Sequence, residues 1–159
     1  MKKRTIAILM IIALLSVSLM PAAAESTAKE ASEIIYLDDG SYIEISGVRT
    51  IETGKSSRAT TTTIGAKDVT FKNTDGEVEW TYTLTGYFTY DPGVSSTCTN
   101  ATYTSDINAN GWTLNNATAT RSGNTAYGVG VYIKKVLFIK VNEIDIDISI
   151  SCDSYGNLS

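Results

Sequence analysis

Three pairs of neighbouring carboxylates, Asp38/Asp39, Glu77/Glu79 and Asp145/Asp147, are the residues of this chain whose spacing could support acid–base chemistry. A glycosidase needs two acids facing one cleft, about 5 to 9.5 Å apart, one of them with a raised pKa. Each pair here falls at a turn or on an outward strand face. There carboxylates stay ionised and serve solubility and protection of strands against edge pairing. The chain has no histidine, which removes Ser-His-Asp and Cys-His machinery, histidine-containing zinc sites and an imidazole base near neutral pH. Its two cysteines, Cys98 and Cys152, are too few for a four-thiolate zinc site. No phosphate-cradling P-loop and no GxGxxG after a strand occurs. Gly128-Val129-Gly130 sits inside an alternating strand, where the glycines are expected to relieve crowding against another backbone. The turns Asp38-Asp39-Gly40 and Asp153 to Asn157 are rich in oxygen but lack the ligand spacing of a calcium loop. Neither a catalytic residue nor a metal or cofactor is assigned.

Binding chemistry has more to work with. Trp80 and Trp112 fall on the apolar faces of their strands and are expected in the core. Tyr87 and Tyr103 have polar or small neighbours on their own faces, which makes them the candidates for stacking on a sugar. The segment Lys134 to Lys140 breaks the pattern, since it lies where two strands must connect but holds no Gly, Pro or Asn. With Leu137 and Phe138 at a hairpin tip, it would expose an apolar patch ringed by lysines, the kind that marks contacts. The competing reading, which is preferred here, puts the turn at Val141-Asn142-Glu143 and these residues in the core.

The elements that must position these residues begin with an export signal. Lys2, Lys3 and Arg4 precede the apolar run Ile6 to Leu15, then Pro21 and Ala22-Ala23-Ala24. That order is a secretory leader, expected to be cleaved near Ala24 and to release the product outside the cell without a membrane span. Cleavage removes three of the 13 basic residues and leaves 10 against 17 acidic, a net charge of −7. So acidic a surface, without a basic cluster, argues against nucleic acid or an anionic membrane as partner. In an oxidising exterior Cys98 and Cys152 can pair in one way, and the bridge would add roughly 4 kcal/mol on the chain-entropy model.

Downstream, a disordered start is followed by Ile34 to Leu37, Asp38-Asp39-Gly40 and Tyr42 to Ile45, which predict a hairpin with a type I′ turn. Thr53 to Thr63 (TGKSSRATTTT) has no apolar face and predicts a linker, so the main domain spans 64–159. The remainder alternates with period two. Val78, Trp80, Tyr82, Leu84, Phe88 and Tyr90 share one face, with Gly86 marking a bulge or bend, and Asp91-Pro92-Gly93 turns the chain. Asn108 to Gly111 and Ser122-Gly123-Asn124 turn it again. Tyr127, Val129, Val131 and Ile133 form another alternating face, and Ile144, Ile146, Ile148, Ile150 and Cys152 point inward. The fold class is therefore all-β, an antiparallel β-sandwich with an N-terminal β-hairpin. Cys98, Trp112 and Cys152 occur in the order of an immunoglobulin core. Ile150, however, stands where that fold has its corner tyrosine, and seven residues follow Cys152, so a sandwich of other connectivity is favoured.

Taken in order, the leader, LDDGSY (37–42), DGEVEW (75–80), GYFTYD (86–91), Cys98, Trp112, RSGNTA (121–126) and CDSYGNLS (152–159) resemble an uncharacterised family of small secreted proteins from Gram-positive anaerobic bacteria. The resemblance implies export and one β domain, and it carries over no site residues. The function expected is a non-enzymatic binding or surface-interaction domain, monomeric, with a protein or glycan ligand. The alternatives are a carbohydrate-binding module and a small carboxylate-dependent hydrolase.

Overall fold

Threonine, valine, isoleucine and tyrosine at alternating positions build nine antiparallel strands among the described residues. The computed structural model describes residues 31–55 and 61–159, and the expected leader and the stretches 25–30 and 56–60 lie outside them. The strands are β1 Ala31–Tyr36, β2 Tyr42–Ser46, β3 Arg49–Lys55, β4 Thr61–Lys72, β5 Val78–Asp91, β6 Ser95–Ile107, β7 Trp112–Ser122, β8 Thr125–Val136 and β9 Ile139–Ser151. One sheet runs β1-β2-β4-β5-β6 with β3 also on β4, and the second runs β7-β8-β9. Their inner faces pack together as a β-sandwich. Each sheet holds strands consecutive in sequence, so the connectivity is a meander and lacks the crossing of the immunoglobulin fold.

The N-terminal hairpin belongs to the larger sheet. Strands β2 and β3 pair successive stretches of β4, with Tyr42 opposite Lys72 and Lys55 opposite Thr61. Ser46 fills the break between them, its hydroxyl donating to Asp68 O at 2.9 Å and accepting from Asp68 N at 2.6 Å. Thr53 to Lys55 and Thr61 to Thr63, expected as linker, are the paired arms of β3 and β4. The β1–β2 turn is a three-residue loop of type I geometry closed by Gly40 at φ 84°, because Asp39 stays out of the left-handed region that type I′ requires.

The core repeats the expected faces of β5 and β9, except that Val78 at the start of β5 is exposed. Trp80, Tyr82, Leu84 and Phe88 from one sheet meet Ile144, Ile146, Ile148 and Ile150 from the other. Trp80 stacks on Tyr132 with ring centroids 3.7 Å apart, and Phe71 and Trp112 complete an aromatic cluster at one end of the sandwich. In β8 the alternation picks out the outer face. Ala126, Gly128, Gly130 and Tyr132 are buried while Tyr127 and Val129 are exposed. A Cβ on Gly128 would lie 2.9 Å from the Tyr82 hydroxyl, so the crowding it relieves comes from a side chain of the facing sheet.

Cys98 and Cys152 are buried at the opposite end, and the expected disulfide is absent: both are free thiols. Each sulfur is turned to a nearby carbonyl, Cys98 to Asn100 O at 3.3 Å and Cys152 to Asp153 O at 3.4 Å, instead of to the other. The two backbones nevertheless flank one turn, since Cys98 N donates to Gly123 O and Cys152 N to Asn124 O.

Candidate functional site

Strands β8 and β9 extend past the rest of their sheet. The β7 partner stops at Trp112 opposite Lys134, and Lys135 N makes a further bond to Gly111 O at 2.9 Å. Beyond it Lys135 pairs with Lys140 and Val136 with Ile139, and Leu137-Phe138 forms the two-residue turn. Both turn residues have positive φ, 48° and 69°, as a type I′ turn demands. Leu137 is 85% exposed and Phe138 99%, with Val136, Ile139 and Val141 exposed beside them. The preferred expectation of a turn at Val141-Asn142-Glu143 is overturned, because the β8–β9 register puts these residues inside β9. The segment forms an apolar tip with Lys134, Lys135 and Lys140 at its base.

Below the tip lies a cleft of about 380 Å³, bordered by Asp39, Phe71, Glu79, Lys134, Val141 and Asn142 among others. Glu79, expected on a solvated face, is instead a strut between the sheets. It accepts from Lys134 Nζ at 2.9 and 3.1 Å and from Trp112 Nε1 at 2.6 Å. Ser41 donates to Asp39 through both its hydroxyl and its N–H, which holds the Asp39 carboxyl below the usual carboxylate range. Two acids thus border one cleft, a pairing that sequence neighbours could not reveal because it joins the β1–β2 turn to β5. The Ser41 bonds favour the ionised form of Asp39, and both Glu79 oxygens are committed to Lys134 and Trp112. Asp145 and Asp147 are exposed along β9, and Asp38 and Glu77 are exposed at turns.

The sugar-stacking candidates lie on opposite faces of the larger sheet. Tyr103 is opposite the buried Leu84 and stacks on Tyr82 with centroids 5.4 Å apart, which puts it on the inner face at the sheet edge. Tyr87 alternates with the buried Gly86 and Phe88 and so points outward. They cannot serve one platform. In the turn Asp153 to Asn157, the Asp153 carboxylate accepts from Asn157 Nδ2, Asn157 N and Tyr155 N, bonds that lower its pKa. Among the described residues no group of three acidic or thiol side chains converges as metal ligands. No helix there is long and apolar enough to cross a membrane.

Comparison with known protein families, curated proteins and solved structures finds no match to this chain.

Proposed function

We propose that the chain is a secreted, non-enzymatic binding domain that makes its contact through the Val136–Ile139 tip. The observation that carries this reading is the placement of four consecutive apolar side chains, two at positive φ, outside the body of the sandwich. A turn chosen for stability would hold Asn-Gly there, and locally unfavourable choices of this kind concentrate at functional sites. The leader supports export. The carbohydrate-binding alternative has less support, since Tyr87 and Tyr103 face opposite ways. The hydrolase alternative would need a protonated acid in the cleft, but the Ser41 bonds favour ionised Asp39, and the Glu79 oxygens are taken up by Lys134 and Trp112.

The test is co-sedimentation of the purified protein with washed surface material from the cells that secrete it. Capture lost in Leu137→Asn/Phe138→Gly, and kept in Tyr87→Ala and Asp39→Asn, is expected. Equal capture of the tip variant and the parent removes the tip from the function, and loss in Tyr87→Ala alone transfers it to the outer face.

A further inference from the structure

The tip makes a second choice against its own stability. Lys135 and Lys140 are cross-strand partners and share a face, although like charges directly opposite each other destabilise a ladder. Lys140 has an exposed partner in Glu143, at 2.9 Å, and Lys134 is held by Glu79. Lys135 and Lys140 thus place two ammonium groups on one patch just behind the apolar turn, and a phosphate placed between them would stabilise the pair in competition with the exposed Glu143 for Lys140.

We propose that this ribbon docks on a lipid bilayer bearing anionic phosphate headgroups. Leu137 and Phe138 enter the interfacial layer while Lys135 and Lys140 meet the headgroups. The proposal rests on the binding reading above and names its partner. Shape favours lipid over a protein groove: Phe138, 99% exposed, stands free at a convex apex, and a bilayer accepts such an apex without a matching concavity. The net acidity of the chain does not oppose docking in this orientation. Asp145 lies five residues from Lys140, about 16 Å along the strand, roughly two Debye lengths at physiological salt. Asp145 and Asp147 are thus screened from the surface, Glu143 offsets part of the charge of Lys140, and Lys135 with Lys140 still leaves the tip net positive toward the membrane.

The test uses the full chain with Phe138→Trp as reporter. Trp80 and Trp112 are buried in the core, so the tip indole dominates any response to lipid. Vesicles of phosphatidylcholine mixed with phosphatidylglycerol should shift its emission to the blue. Lys135→Ser/Lys140→Ser should weaken partitioning about twenty-five-fold, roughly fivefold per lysine. Leu137→Asn/Phe138→Gly, which should fold at least as well, should weaken sedimentation with the same vesicles on the order of a hundredfold. All variants carry the same residues 1–30, so any lipid affinity there is common to them. Emission unchanged on the mixed vesicles overturns the proposal, as does an equal shift on phosphatidylcholine alone. A shift that grows with protein concentration without lipid overturns it too, in favour of a second copy. Tip-dependent capture on cell material without any vesicle response removes the lipid partner and leaves the binding reading standing.

Discussion

Strand β8 is entered through one two-residue turn and left through another, and the two obey different rules. At the entry, Gly123-Asn124 puts a glycine at φ 56°, where a side chain would be strained. Its carbonyls accept from Cys98 N and Cys152 N, and Asn124 Nδ2 donates to Cys152 O at 2.7 Å. At the exit, Leu137-Phe138 puts two bulky side chains at positive φ and out in solvent. The entry turn suits its backbone and is tied to Cys98 and Cys152 by three hydrogen bonds. At the exit the residues oppose the local backbone, which is the observation behind the proposed contact at the tip.

The largest expected effect comes from alkali and acts on the entry end and the core. Burial, helped by Asp153 and Cys98, pushes the Cys152 thiol from 9.0 up to about 11, and burial pushes the Tyr82 hydroxyl from 10.0 up to about 12. Both groups ionise at lower pH in the unfolded chain. Their contribution is complete below the unfolded values and is lost as pH rises from 9 to 11 and from 10 to 12. Thermal melts should therefore fall through that window, and in Cys152→Ser the first part of the fall should shrink to what the Cys98 thiol, also raised by burial, contributes. A thiol reagent should count two sulfhydryls after unfolding at neutral pH; a count of zero would mean the sulfurs are bonded.

Grafting the exit pair onto the entry, Gly123→Leu/Asn124→Phe, comes next. It strains the first turn position and removes the Asn124 bond to Cys152 O, and should cost about 3 kcal/mol in denaturant melts. If the loss is below about 0.5 kcal/mol, the two turns are equivalent and the contrast drawn above is empty. Cutting the strut beneath the tip with Glu79→Ala leaves the Lys134 ammonium and Trp112 Nε1 without their acceptor, and should cost about 2 kcal/mol. The smallest effect has the opposite sign. Leu137→Asn/Phe138→Gly relieves the positive-φ strain and should raise stability by about 1 kcal/mol, read as a higher melting temperature.

Much of the fold was legible because turns and alternation are local. Asp91-Pro92-Gly93 turns with Gly93 at φ 75°, Asn108 to Gly111 turns with Gly111 at φ 88°, and Ile144, Ile146, Ile148 and Ile150 of β9 face inward. The candidate site was less legible. Leu137 and Phe138 were among the candidate residues, but hydrophobicity without a turn former reads locally as core. What exposes them is the strand register, which carries β8 and β9 past the end of β7. The pairing of Asp39 with Glu79 across one cleft had no signal in sequence, and neither did the commitment of Glu79 to Trp112 and Lys134.

The sequence by itself determined that this chain forms strands, where most of them turn, and which face of β5 and β9 is greasy, since period-two patterning and left-handed backbone positions act over a few residues. Tertiary structure decided which face of β8 goes inward. There the bulky set Tyr127, Val129, Val131 and Ile133 lies on the outer face, because Tyr82 already fills the space beside Gly128. It also decided that Leu137 and Phe138 stand in solvent. Both outcomes depend on how much room the facing sheet leaves and how far it reaches, and no short stretch of the chain encodes either.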